Sequence, residues 1–155
     1  MLQPRNGQTV VLGTGCFDIM HVGHLYFLEQ CRQQGDLLVV GLNSDLSVRT
    51  MKGPNRPIVP EDGRAKLVAA LRVVDYVFVD DAITAEEHIR VLRPDVYAIG
   101  TESVGGYPTE MAAANEVGAR LHIVDRLPVF STSSIVSTIQ SHENVDSAGN
   151  PCRTQ

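Results

Sequence analysis

The sequence predicts an α/β fold, a single domain in which helices cover both faces of a five-stranded parallel sheet. Apolar runs of strand length lie at residues 9–12, 37–42, 73–79, 95–99 and 121–124. Segments of helical character separate them, and strands that alternate with helices form parallel sheets buried on both sides. The chain has 155 residues, 43% of them hydrophobic, which suffices for one core but not for two. The arrangement is Rossmann-like, because each strand is followed by a helix.

Helices are predicted at residues 25–31, 60–71, 84–92, 109–117 and 135–141, with a short one at 43–49. Thr84 and Glu87 form a capping-box pattern, and Gly118 is a typical residue just beyond a helix end. Residues 52–57 contain two prolines, a glycine and two cations, and predict a mobile loop. The domain is expected to span residues 1–141, followed by a disordered polar tail at residues 142–155.

The turn between the first strand and the first helix is the strongest candidate for a functional site. Gly13 and Gly15 allow a tight turn and a close approach to a ligand. Free N–H groups at the start of a helix bind anions, helped by the helix dipole. His21 and His24 are three residues apart, so we expect their rings on one face near that helix start. Such imidazoles can donate to phosphate oxygens, or as imidazolium stabilise the charge that develops when a P–O bond breaks.

Other functions fit this turn less well. Paired histidines ligate zinc in many proteins, but no compact set of further ligands lies nearby in the sequence. The turn also matches the beginning of the dinucleotide motif G-x-G-x-x-G, whose third glycine position is occupied here by Asp18. Cys16 lies in the turn and could be read as a nucleophile, although a backbone or packing role explains it equally well.

A second anion site is predicted where the last helix begins. Ser131 to Ser134 are four consecutive hydroxyl residues, more than a helix cap requires.

Residues 15–24 read Gly-Cys-Phe-Asp-Ile-Met-His-Val-Gly-His. This segment resembles the G-[TC]-F-D-x-x-H-x-G-H signature of the cytidylyltransferase-like nucleotidyltransferases, which include glycerol-3-phosphate cytidylyltransferase and heptose-1-phosphate adenylyltransferase. The resemblance extends over residues 9–140. It implies that an acceptor phosphate or phosphonate oxygen attacks the α-phosphorus of a nucleoside triphosphate in line and that pyrophosphate leaves.

The resemblance also implies which residues carry the reaction. His21 and His24 act on the α-phosphate and the leaving oxygen, while Lys52 and Arg126 hold the phosphates. The expected nucleotide-binding residues lie in the first turn, the third helix, the loop after the fourth strand and the start of the last helix: Gly15, Cys16, Phe17, Asp18, Gly23, Arg64, Gly100, Thr101, Glu102, Ser131, Thr132 and Ser133.

CTP is the favoured donor nucleotide, and ATP is the alternative. Arg126 lies five residues before Ser131, as in the cytidylyltransferases, and favours CTP. The middle of the chain, with Lys52-Gly53 and Arg56-Pro57, is closer to the ATP-using heptose enzymes. A nucleotide-binding module without catalysis is the third hypothesis.

A Mg²⁺ ion bridging the phosphates is expected, and Asp18 is the candidate to position it or the acceptor. No metal site built from the protein's own side chains is predicted.

Charge and composition bear on partners. The net charge of −5 argues against nucleic acid or an anionic membrane as the main partner. No apolar stretch approaches a membrane span and the first residues lack a signal-peptide core, so a cytosolic protein is expected. Cys16, Cys31 and Cys152 imply no disulfide framework. The resemblance adds a possible homodimer.

Overall fold

A computed structural model describes residues 7–127 and 131–143. Its sheet has five strands: β1 (Val10–Gly15), β2 (Leu37–Asn43), β3 (Tyr76–Asp80), β4 (Val96–Gly100) and β5 (Arg120–Val124). They lie in the order β3-β2-β1-β4-β5, and every neighbouring pair is parallel. The predicted fold class is confirmed.

Six α-helices accompany these strands in the described part of the chain. They are α1 (Val22–Arg32), α2 (Asp45–Lys52), α3 (Glu61–Ala69), α4 (Glu86–Leu92), α5 (Pro108–Val117) and α6 (Thr132–Glu143). A single 3₁₀ turn, Thr101–Ser103, follows β4.

Side chains alternate along β1 and divide the core into two layers. Val11 packs on one face with Leu28 of α1 and Val68 of α3. Leu12 packs on the other face with Ile89 of α4 and with residues of α5. All five side chains are fully buried. Because successive strand residues point to opposite faces, an unbroken apolar run such as residues 10–12 can fill both layers.

Several predicted boundaries need correction. Thr84 does not cap α4; the helix begins after Ala85, whose N–H is bound by the Glu110 carboxylate at 2.8 Å instead of by a nearby side chain. Lys52 is the last residue of α2 and not part of the following loop. The prediction for Gly118 is confirmed, since it closes α5 with a φ of 77°.

The end of α6 lies two residues beyond the predicted domain boundary at residue 141. Residues 144–155, which make up most of the predicted tail, lie outside the described residues. No helix within residues 7–127 and 131–143 has the length and apolar character to span a bilayer.

The strand order determines where a ligand can bind. The chain runs outward from β1 to β3 on one side and from β4 to β5 on the other, so the order reverses between β1 and β4. In open parallel sheets the ligand cleft opens at this point, at the carboxyl ends of the strands. The turn at residues 15–21 and the loop after Gly100 both lie at that edge.

Candidate active site

A cleft of about 600 Å³ opens at the carboxyl edge of the sheet. It contains the N-terminal ends of both α1 and α6, so the two predicted anion sites share one cleft. The predicted residues that line it are His21, His24, Lys52, Arg126, Gly15, Cys16, Phe17, Asp18, Gly23, Gly100, Glu102, Ser131, Thr132 and Ser133. Arg64 and Thr101 are the two predicted site residues that do not line it.

The two histidines form a stacked pair at the start of α1. Their ring centroids are 3.8 Å apart and the planes are 22° from parallel. His21 is the N-cap residue, and its Nδ1 accepts a hydrogen bond from the N–H of Gly23 at 3.1 Å. A neutral His21 therefore carries its proton on Nε2, where it can donate to a ligand.

This cap changes how the helix end binds an anion. The N–H of Gly23 is used by the His21 ring, and the N–H of His24 is 2.9 Å from the carbonyl of His21. The sequence predicted that free N–H groups of this turn would hold phosphate, but these two are already engaged. The imidazoles themselves are therefore the main donors that α1 offers to the cleft.

Both histidines have depressed pKa values. Burial lowers the pKa of His24 to about 4, assisted by the nearby His21 and Lys52 and opposed by Asp18. Burial, and next the charge of Arg126, also lower the pKa of His21. Both imidazoles are therefore neutral at pH 7 in the free protein, and the predicted imidazolium role requires a bound polyanion to supply compensating charge.

The start of α6 is joined to the first turn by a direct contact. Thr132 Oγ1 donates to the backbone oxygen of Asp18 at 2.6 Å. Ser131 Oγ accepts from the N–H of Ser134 at 3.0 Å and so acts as the helix cap. Ser133 is exposed and lines the cleft. The Ser131 hydroxyl thus caps the helix, the Thr132 hydroxyl joins α6 to the first turn, and Ser133 lines the cleft.

Asp18 has a different role from the predicted one. Its carboxylate is 2% exposed and accepts from the N–H groups of Ile58 and Val59 and from the Arg56 guanidinium, all at 3.0 Å. Burial alone would raise the pKa of Asp18, but these hydrogen bonds outweigh it and hold the pKa below its usual value. The side chain fixes the loop after α2 and is not free to position a metal or an acceptor.

The backbone on either side of Asp18 is strained. Phe17 and Ile19 have φ values of 50° and 47°, a region that costs about 1 kcal/mol or more for such residues. The hydrogen bonds to the Asp18 carboxylate and carbonyl stabilise this conformation. Strain of this kind is typical of ligand-binding turns that must hold a precise shape.

The expected metal has no protein cage. Within residues 7–127 and 131–143 no group of three or more His, Cys, Asp or Glu side chains is arranged to hold an ion. Both oxygens of Asp18 already accept hydrogen bonds. These residues fit a Mg²⁺ ion that arrives with the nucleotide and is coordinated by its phosphates and by water.

Arg64 does not hold phosphate. Its side chain is fully buried, and the guanidinium donates to the carbonyls of Val59, Cys16 and Asn43 and to the carboxylate of Asp45, at 2.5 to 2.8 Å. Because the carbonyl and N–H of one peptide point in opposite directions, binding the Cys16 carbonyl turns the N–H of the next residue away from Arg64. Arg64 therefore stabilises the turn at residues 15–21 without lining the cleft.

Thr101 is the other predicted site residue that does not line the cleft. Its hydroxyl is 3.0 Å from the carbonyl of Val124 and 3.1 Å from a carboxylate oxygen of Asp125. It therefore joins the end of β4 to the end of β5, while Gly100 and Glu102 on either side of it line the cleft.

Sequence reasoning missed part of the cleft. Thr14, Asn43, Phe78, Tyr107 and Glu110 also line it. Thr14 and Asn43 lie at the carboxyl ends of β1 and β2, a position that could have marked them. Nothing in the sequence pattern singled out Tyr107 or Glu110, which the path of the chain around α5 brings to the site.

Comparison with known proteins supports the same reading of the fold. The family model described as cytidylyltransferase-like matches residues 12–141. The chain belongs to the cytidylyltransferase-like family. The match contains the paired histidines, Lys52, Arg126 and the start of α6, so every residue that lines the cleft falls within the matched region.

Curated relatives of this cytidylyltransferase-like protein include the bifunctional protein HldE of Syntrophotalea carbinolica, 43% identical over 142 residues. The alignment covers 89% of this chain but only 28% of that relative. HldE of Methylobacillus flagellatus is 40% identical over 88% of this chain and again 28% of its own length. The chain thus corresponds to less than a third of these bifunctional relatives.

A solved structure extends the comparison. The lipopolysaccharide core biosynthesis protein from Thermoplasma volcanium superposes with a TM-score of 0.65 at 29% identity, covering 78% of this chain and 98% of that one. The similarity therefore spans nearly the whole of that chain.

Proposed function

We propose that this cytidylyltransferase-like protein transfers an adenylyl group from ATP to the phosphate of a sugar 1-phosphate of the heptose kind, releasing pyrophosphate. The observation that carries nucleotidyl transfer is the convergence of the stacked His21 and His24, Lys52, Arg126 and the α6 hydroxyls on one cleft. These are groups that bind and neutralise polyphosphate. The choice of ATP rests on the similarity to HldE proteins and on the resemblance to heptose-1-phosphate adenylyltransferases.

The proposed reaction needs no covalent intermediate. An oxygen of the acceptor phosphate attacks the α-phosphorus, and the bond from that phosphorus to the β-phosphate oxygen breaks as pyrophosphate leaves. An acceptor phosphate is already ionised at neutral pH, so positioning and charge neutralisation account for catalysis. The Nε2–H of His21, the imidazole of His24 and the charge of Lys52 stabilise the negative charge that develops on the α-phosphate and the leaving oxygen.

CTP is the second candidate donor. Arg126 is exposed and lines the cleft, and an arginine five residues before the α6 hydroxyls is a feature of the cytidylyltransferases that this sequence resembles. A phosphorylated polyol or a phosphonate would then be the acceptor. A cytosolic location and a homodimer stay predictions.

Pyrophosphate release tests these alternatives. The purified protein is incubated with Mg²⁺ and each of the four nucleoside triphosphates against a panel of acceptors: heptose 1-phosphate, other sugar 1-phosphates, glycerol 3-phosphate and a phosphonate. Release with ATP and a sugar 1-phosphate supports the proposal. Release only with CTP selects the second candidate. Tight nucleotide binding without release from any pair would favour a binding module.

Lys52 offers a test of the phosphate site. The Lys52→Met variant removes a charge beside His24 and is expected to raise KM for the nucleotide at least about 10-fold, as for one lost charge-assisted contact. The exposed Lys66 of α3, which does not line the cleft, provides the control variant Lys66→Met. Equal KM values for the two variants would remove Lys52 from the site.

Nucleotide binding should be coupled to proton uptake. Burial and neighbouring cations depress the pKa of His24 to about 4. A bound triphosphate adds several negative charges and raises this pKa, so near pH 6 binding takes up a fraction of a proton and affinity rises as pH falls from about 7 to 6. Calorimetry in buffers of different ionisation enthalpy measures the uptake. His24→Asn should lower it, and an uptake unchanged in this variant would assign the proton elsewhere.

A further inference from the structure

A recess extends from the cleft along the face of the sheet that α4 and α5 cover. Thr14, Gly41 and Phe78 are side by side on β1, β2 and β3, and Glu110 of α5 lies opposite them in the same lining. Arg126, whose charge acts on His21, follows β5 at the opposite edge of the sheet from β3. The recess and Arg126 thus lie toward opposite edges of the sheet.

A chain of hydrogen bonds ends at this recess. The hydroxyl of Tyr97 is 2.6 Å from Oε2 of Glu110, and Oε1 of the same carboxylate accepts the N–H of Ala85 at 2.8 Å. Tyr97 is fully buried and Glu110 is 4% exposed. Burial, and next the charge of Glu110, raise the pKa of Tyr97 far above its usual value, so the phenol stays protonated and donates to the carboxylate.

The direction of this bond determines the next one. Thr14 Oγ1 is 3.3 Å from the Tyr97 oxygen. Because Tyr97 has one proton and has given it to Glu110, it can only accept from Thr14. The proton of the Thr14 hydroxyl therefore points to Tyr97. Thr14 is half-buried and lines the cleft, so its oxygen presents acceptor lone pairs there.

We propose that the recess holds the polyhydroxylated carbon skeleton of the acceptor and that Thr14 Oγ1 accepts a hydrogen bond from one of its hydroxyls. Tyr97 and Glu110 are positioning residues that fix Thr14 as an acceptor. The proposal rests on the proposed function and narrows its substrate class to a sugar or polyol phosphate. Arg126 follows β5, at the opposite edge of the sheet from β3, which places the nucleotide on the β4 and β5 side and leaves the β2 and β3 side for the acceptor.

Gly41 leaves room on the sheet surface for the side chains of Phe78 and Thr14. A Cβ atom there would lie 2.9 Å from the ring of Phe78 and 3.1 Å from the methyl group of Thr14. Any larger residue would displace one of them. The glycine thus preserves the orientation of Thr14 and the position of the Phe78 ring, whose edge lies beside it.

The test measures binding and turnover separately. Affinity for heptose 1-phosphate is measured by calorimetry with a non-hydrolysable ATP analogue present, and KM and kcat come from pyrophosphate release. Thr14→Val keeps the shape of the side chain and should weaken acceptor binding about 10-fold, leaving KM for ATP unchanged. Thr14→Ser should restore most of the affinity. Thr50→Val, on the exposed surface of α2, is the control.

Two further measurements assign the effect to the hydrogen-bond chain. Tyr97→Phe removes the acceptor of the Thr14 proton and should weaken acceptor binding several-fold without changing KM for ATP. On the mono-deoxy acceptor that lacks the recognised hydroxyl, Thr14→Val should cost nothing further.

Equal acceptor affinity in wild type and Thr14→Val overturns the inference, as does a rise in KM for ATP alone, which would place the nucleotide in the recess. Loss of acceptor binding in Thr14→Val supports the inference even if the wild type releases no pyrophosphate. That last result would count against the proposed function instead.

Discussion

Replacing His24 with alanine will lower kcat for nucleotidyl transfer at least about 100-fold, the usual effect of losing one donor that stabilises a transition-state charge. The reason is that the imidazole contacts charge that develops only as the α-phosphate is transferred, so its loss reduces kcat more than it raises KM. The free energy of unfolding will change by no more than about 1 kcal/mol, because His24 Nδ1 is buried without a hydrogen-bond partner among the described residues.

Steady-state pyrophosphate release and urea unfolding, measured on the same preparation, separate these two effects. His142→Ala is the matched control, since His142 is exposed on α6 and does not line the cleft. It should retain wild-type kcat. If His24→Ala retained kcat within about threefold of wild type, well inside the range of indirect effects, the stacked pair would serve only to shape the start of α1.

The turn at residues 15–21 was readable from sequence because its pattern is local. The turn, His21 and His24 lie within residues 15–24, and the fold brings them together by the path of a single strand, turn and helix. The five strands were readable for a similar reason, because each is a short apolar run. The central strands β1, β2 and β4 are largely buried on both faces, while the edge strands β3 and β5 are partly exposed. Local spacing sufficed in both cases.

Polar side chains with distant partners could not be assigned in this way. Thr84 and Glu87 form a capping pattern, but α4 begins after Ala85, whose N–H is taken by Glu110 of α5. Asp18 was expected beside the metal or the acceptor, yet its partners lie about forty residues further along the chain. In each case a tertiary hydrogen bond overrides the local pattern, and no spacing rule encodes it.

The residues of the recess show the same limit of sequence-based prediction, because no local pattern marked them. Thr14, Tyr97 and Glu110 belong to three different elements and fit ordinary patterns for a strand residue, a core aromatic and a helical acid. Only their contacts at 2.6 and 3.3 Å reveal a polarised chain. In a sequence, a carboxylate that the fold will bury looks like any exposed one, which is why Glu110 was missed.

Replacing Arg64 with leucine will lower the free energy of unfolding by about 3 to 5 kcal/mol, the range for breaking a buried charged network by removing one partner. The guanidinium is fully buried and binds the carbonyls of Val59, Cys16 and Asn43 as well as the Asp45 carboxylate. Leucine would leave these acceptors without their donor. Arg64→Lys should lose somewhat less, because one ammonium keeps the charge but cannot reach all four acceptors.

Urea unfolding measures the loss, with Arg90→Ala as the control. Arg90 is exposed and pairs with Glu116, so its replacement should leave the urea midpoint close to the wild-type value. The experiment also separates support of the turn from phosphate binding. If Arg64 bound phosphate, its replacement would raise KM for the nucleotide and leave the free energy of unfolding near the wild-type value. If Arg64 acts through the buried network, the main effect of its replacement is a lower free energy of unfolding. Nucleotide binding then weakens because the Cys16 carbonyl and the turn at residues 15–21 lose their support.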